Sequence, residues 1–270
     1  MPEHANALAV SFELTLLLAG VVLLWRLVFS SAARAHRPTP ALGPWDAPLS
    51  DFFIFLWLVF FGGVVAQFGV VWLLRSFPPW GDEKLLIAGT AFHVGMLGGI
   101  VVFKLVFDRH RTRPVVASVN PVVSGAATFL VAMPFVAVVS IGWQFALDRC
   151  GLPAEPQDLI GIFAHTKSRA LLVFLTVVAT VIAPVTEELI FRAGVFRYAR
   201  TRLPRWAALL APACLFAALH QNLASFAPLV ALGVIFSLAY ERTGHIGTSM
   251  VAHSLFNLNT IVLILSGATA

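Results

Sequence analysis

Long apolar runs separated by short polar connections set the rhythm of this chain. They fall at about residues 7–29, 51–74, 84–107, 121–147, 170–191, 206–221, 226–241 and 246–266. Most are near the ~20 residues at which a helix, rising about 1.5 Å per residue, crosses some 30 Å of hydrocarbon. The runs at 206–221 and 226–241 are short, so their ends are weakly defined. The runs are continuous and do not alternate in ten-residue units between turns, which is the signature of a membrane strand. A lipid-facing segment must also close its backbone hydrogen bonds within itself. The pattern therefore predicts an all-α, polytopic transmembrane bundle of about eight spans.

Composition strengthens this reading. Of 270 residues, 59% are hydrophobic and 11% charged, and the mean hydropathy is +0.88, against about 25% charged residues in a soluble domain. Thirteen of the 18 Lys and Arg residues lie in, or beside, the connections after the first, third, fifth and seventh runs. Basic residues collect on the cytoplasmic side, so both termini are expected to face away from it. The same distribution accounts for the net charge of +5. The basic residues border spans and form no soluble basic face, so no nucleic-acid partner is expected. The N-terminal MPEHANA carries an acidic and no basic residue, and no cleavage site stands out after a short apolar core, so the first run is expected to remain in the mature protein. Cys150 and Cys214 make neither a disulfide framework nor a metal cluster. The sizeable linkers are Ala35 to Pro48 and Gly151 to Lys167, and no internal repeat stands out. The expected localisation is a bacterial inner membrane, crossed several times by one membrane domain.

Against this background the stretch APVTEELIFRA, residues 183–193, is unusual. A charge at the bilayer centre costs about 2.5–3.5 kcal/mol on insertion scales, so such residues face a protein interior or a watery cavity. On a helix Glu188 and Arg192 stand at i and i+4 and can pair, whereas Glu187 lies about 100° around the axis and points elsewhere. Two readings compete. Either the helix end reaches the interface and the pair is solvated, or a polar pocket holds one structural and one available carboxylate.

Polar residues downstream favour the pocket. Phe216-Ala-Ala-Leu-His220 puts an imidazole at the end of the sixth run, and His253-Ser-Leu-Phe-Asn257 puts an imidazole and an amide on one face of the eighth. Glu187, His220, His253 and Asn257 on three spans form a set suited to activating water. His93 in the third run is read as a helix–helix hydrogen-bonding residue. Glu13 in the first is 13 positions from Arg26 and pairs with it only if tertiary packing allows. Neither is placed in the site.

Glu-Glu-x-x-x-Arg, Phe-x-x-x-His and His-x-x-x-Asn, in this order on hydrophobic helices, resemble the CAAX protease and bacteriocin-processing (CPBP, Abi) family of intramembrane glutamic endopeptidases. The phrase YERTGHIGTSMVAHSLFN is also similar to that family's final helix pair. The similarity covers roughly residues 121–266, which makes 121–270 the expected catalytic core and 1–120 a peripheral set of helices. The resemblance implies hydrolysis of a peptide bond within or beside the membrane. By motif match Glu187 is the general base acting on water, assisted by His220. His253 and Asn257 stabilise the oxyanion, and Glu188 with Arg192 supports the site. The chemistry is coherent, because peptide hydrolysis needs a water, a base and donors aimed at developing negative charge.

Alternatives stay open at this point. Glu and two His residues are acceptable zinc ligands, but no His-Glu-x-x-His helix is present, so no cofactor or metal is expected and zinc is the rival mechanism. A noncatalytic membrane partner, such as an immunity or scaffold protein, is the rival function. A transporter would show paired repeats and interrupted helices in matching halves, whereas here the polar motifs concentrate in the second half. The expected partners are the lipid bilayer and a membrane-associated peptide or protein; nothing in the chain marks a prenyl pocket.

Overall fold

The computed structural model describes residues 2–35, 40–76, 81–107, 119–153, 155, 161–163, 166 and 168–267. Arg37, Arg109, Arg111, Arg113 and Lys167, which enter the orientation count, lie outside these residues, as does most of the linker 151–167. The described elements are helical: α1 (Pro2–Leu24), α2 (Ser31–Ala35), α3 (Leu49–Leu73), α4 (Gly81–Val106), α5 (Pro121–Arg149), α6 (Arg169–Arg200), α7 (Arg205–Leu219), α8 (Leu223–Thr243) and α9 (Ile246–Ser266). Among the described residues seven helices are long and apolar enough to cross a membrane, and the protein is an all-α, multi-pass integral membrane protein. The difference from the sequence pattern lies at the sixth run. There α7 has 15 residues, about 22 Å of helix, which is short of a full crossing.

Local chemistry explains where several helices begin and end. Asn120 caps α5 by accepting from the amides of Val122 and Val123, and Pro121 occupies the first turn, where its missing N–H is not needed. Gly244 ends α8 with φ 67°, the left-handed conformation glycine adopts without strain, and the His245 side chain then accepts from Gly247 N to start α9. This accounts for the Gly-His-Ile-Gly segment of the sequence.

Small residues let the helices approach. A Cβ on Gly99 would stand 2.3 Å from the Leu58 carbonyl oxygen, and one on Gly95 2.2 Å from that of Gly62, so α3 and α4 pack backbone to backbone. On the other side Gly20 of α1 covers the Leu130 carbonyl of α5, which Pro134 deprives of its usual i+4 donor. Helix α5 packs on α8 and α9, α7 packs on α8, and α4 reaches the middle of α6. In α1 Glu13 accepts from Asn259 of α9 at 3.0 Å, which answers the question of its partner: a neutral amide, not Arg26.

At one end of the bundle arginines hold the linker after α2. Arg197 donates to the carbonyls of Gly43 and Pro44, Arg200 to Leu42, and Arg202 to Trp45 and Ala47. Glu241 ties this end to α8, pairing with Arg200 at 2.7 Å and Arg205 at 2.8 Å. Trp45 completes the join, its ring edge-on to Phe55, Phe103 and Tyr198.

Candidate active site

Helix α6 carries the two glutamates and is not uniformly α-helical. Wider π turns occupy Val178–Ile182 and Phe191–Phe196, on either side of the turn Ala183–Ile190 that holds Glu187 and Glu188. Such turns recur at functional sites because they re-aim side chains within a helix. The first has a visible origin. The Ala183 amide bonds to Val178 O, and the next residue, Pro184, has no N–H. The Ala179 carbonyl is thus left without a helical donor, and Asn257 of α9 supplies one, Nδ2 donating at 2.8 Å.

The two carboxylates have different environments. Glu188 is fully buried and its Oε1 accepts from Arg192 Nη1 at 2.8 Å, so the i, i+4 pair is formed inside the protein. Along α6, Glu187 is 18 residues from Arg169 and 13 from Arg200, about 27 and 20 Å respectively. The pair is therefore enclosed by protein within the helix and is not the solvated pair of the first reading. The Glu187 side chain retains 17% exposure, and its nearest ion-pair partner is the His253 ring at 3.7 Å.

His253 joins the carboxylates. Its Nδ1 donates to Glu188 Oε1 at 2.9 Å, while Nε2 stands 3.7 Å from Glu187 Oε2. Because a carboxylate accepts, the Glu188 contact places a proton on Nδ1 and leaves Nε2 as the nitrogen facing Glu187. His220 follows the same rule on another helix. At the C-terminus of α7 its Nδ1 donates to Phe216 O at 2.8 Å, leaving Nε2 free of that contact. This bond explains the Phe-x-x-x-His spacing, since residue i supplies the carbonyl that fixes the tautomer at i+4.

Phe216 does more than offer its carbonyl. The fully buried ring is 4.6 Å from the Arg192 guanidinium carbon and edge-on to His220 and His253, at 4.7 and 6.0 Å between centroids. Phe236 of α8 covers a second approach to Arg192 at 5.4 Å. These rings place the cation in a dry aromatic box where cation–π attraction is worth about 2 kcal/mol. Neither ring was placed in the site from sequence, although Phe216 stood in the quoted motif. His93 of α4, read from sequence as a helix–helix hydrogen-bonding residue, has its Nδ1 enclosed with no hydrogen-bond partner.

The structure thus brings Glu187, Glu188, Arg192, His253 and Asn257 together on α6 and α9, with His220 joined to them through Phe216. Asn257 is engaged by a backbone carbonyl through one of its two amide protons. Among the described residues no group of three His, Cys, Asp or Glu side chains is placed to hold a metal.

Comparison with known proteins agrees with the resemblance read from the motifs. Residues 169–259 match the family model described as type II CAAX prenyl endopeptidase Rce1-like. The matched segment contains all six motif residues but is narrower than the expected 121–266, and α1 to α5 lie outside it. Neither the curated proteins nor the solved structures give a match.

Proposed function

Taking the type II CAAX prenyl endopeptidase-like character of residues 169–259 as premise, we propose that this chain is an intramembrane endopeptidase that hydrolyses a peptide bond of a membrane-associated protein or peptide. Family and fold together support a CAAX-type protease role in a lipid bilayer. The observation that carries the finer reading is the His253 bridge, with a fully buried Glu188 on one ring nitrogen and a partly exposed Glu187 opposite the other. The buried carboxylate is committed to Arg192 and His253. The exposed one is available to chemistry.

In the proposed reaction Glu187 takes a proton from water as the water oxygen bonds to the scissile carbonyl carbon. The negative charge moves to the carbonyl oxygen, where His253 Nε2–H and the second Asn257 amide proton stabilise it. With Nδ1 held by Glu188, donation through Nε2 requires the doubly protonated ring, a form flanked here by two carboxylates. Glu187 then passes its proton to the departing amine nitrogen as the C–N bond breaks, and His220 assists Glu187 from the end of α7. A well-aimed oxyanion donor contributes about 2.7–4 kcal/mol to such a step. Glu188 and Arg192 fix His253, and no cofactor takes part.

Purified full-length protein in detergent, incubated with farnesylated and unmodified membrane peptides, tests this reading, with cut sites located by mass spectrometry. Cleavage of either class, insensitive to a zinc chelator, is the expected result. No cleavage of either would favour a noncatalytic immunity or scaffold role, and loss of cleavage on chelation would replace the metal-free mechanism. The proposed site of action is a bacterial inner membrane.

A further inference from the structure

The second π turn of α6, Phe191–Phe196, is gripped from two sides. At about 100° per residue, positions two apart project to nearly opposite sides of a helix, so Arg192 and Gly194 face away from each other. On the site side α8 makes room for Arg192 with Gly233, where a Cβ would stand 3.5 Å from Nη2. On the far side the Phe55 ring of α3 rests on Gly194, where a Cβ would stand 2.6 Å from Phe55 Cε1 and 2.8 Å from Cζ. The ring tip therefore occupies the place of a side chain. It is held there, because Phe55 is 4% exposed and meets Phe103 and Trp45 edge-on at 5.3 and 5.7 Å between centroids. The residues flanking Gly194 are Ala193 and Val195. A slip of the turn by one residue would bring a methyl or an isopropyl group against the ring.

We propose that Phe55 is a positioning residue for the active site: seated on Gly194, it locks the register of the π turn and with it the aim of Arg192 at Glu188. The proposal rests on the reading of Glu188 and Arg192 as the support of His253. In this register Arg192 Nη1 reaches Glu188 Oε1 at 2.8 Å, and the same oxygen accepts from His253 Nδ1 at 2.9 Å. A π turn adds one residue to the helical repeat, and packing must fix where that residue sits. Helix α3 lies outside the matched residues 169–259, so the site depends on a helix that the family segment does not contain.

Phe55→Leu removes the ring tip, Gly194→Ala sets a methyl group into it, and the double variant restores the fit, the alanine methyl filling the space the ring leaves. With farnesylated peptide as probe and rates expressed per folded protein, each single variant should lower kcat by roughly 10- to 100-fold with KM changed less than about 3-fold, a loss typical of misplaced reactants. The double variant should recover to within about 3-fold of wild type, since residues in contact couple. Single variants that keep the wild-type kcat, or a double variant whose loss is the product of the single losses, would overturn the proposal. A readout independent of turnover uses ring-labelled histidine in the full chain. The His253 signals, assigned by their loss in His253→Gln, should move in Phe55→Leu and return in the double variant. A ring that only adds stability would lower the unfolding midpoint and leave those signals in place. If they ignore Phe55→Leu, the proposal is wrong even where Gly194→Ala fails to fold. Wild type that cleaves no peptide would overturn the endopeptidase reading, and the His253 signals then decide the role of Phe55 by themselves.

Discussion

Replacing one glutamate or its neighbour should produce opposite defects. In Glu188→Gln the buried Arg192 loses the carboxylate it meets at 2.8 Å and His253 loses the acceptor for Nδ1. Removing one partner of a buried ion pair costs about 3–5 kcal/mol, because the other charge stays desolvated. The rings of Phe216 and Phe236 face Arg192 in both proteins and so offset nothing. The glutamine oxygen can still accept one bond, worth about 1 kcal/mol, which leaves a net loss of about 2–4 kcal/mol. Glu187→Gln removes a carboxylate that is 17% exposed and makes no ion pair shorter than 3.7 Å. Its stability change should lie within about 1 kcal/mol. Reversible unfolding in mixed micelles gives both values. The double variant Glu188→Gln/Arg192→Leu should be less damaged than the sum of its singles, because the stranded charge is gone. Equal losses for the two single glutamine variants, or a neutral Glu188→Gln, would refute the division into a structural and an available carboxylate.

Other consequences follow from particular contacts. Asn257→Ala strands the Ala179 carbonyl beside Pro184 and should cost about 1–3 kcal/mol, seen as lower unfolding stability along with lower turnover. Gly99→Leu sets a side chain against the Leu58 carbonyl, 2.3 Å from its Cβ, and should abolish the folded, monodisperse peak in size-exclusion chromatography. Glu241→Gln frees Arg200 and Arg205 and should speed limited proteolysis in residues 40–48, while wild type stays protected there.

The long apolar runs made the helices legible, because length and continuity alone separate a membrane helix from a strand. Spacing made the Glu188–Arg192 pair and the shared face of His253 and Asn257 legible, since both are local properties of a helix. The π turns of α6 were not. They shift the period by a residue, and the first arises at a Pro184 whose missing amide matters only once a distant Asn257 is seen to compensate. Glu13 and Asn259 are 246 positions apart, and no periodicity relates them. The arginine clamp on residues 42–47 uses backbone carbonyls as acceptors, which every sequence offers equally.

The central claim is that Glu187 activates water. Its most direct test is cleavage of a farnesylated membrane peptide by wild type and Glu187→Gln, each shown to be folded by its unfolding transition. The account predicts cleavage by wild type and a loss of at least about 100-fold in the folded variant, within the range of general-base catalysis. Equal cleavage by both proteins would contradict it.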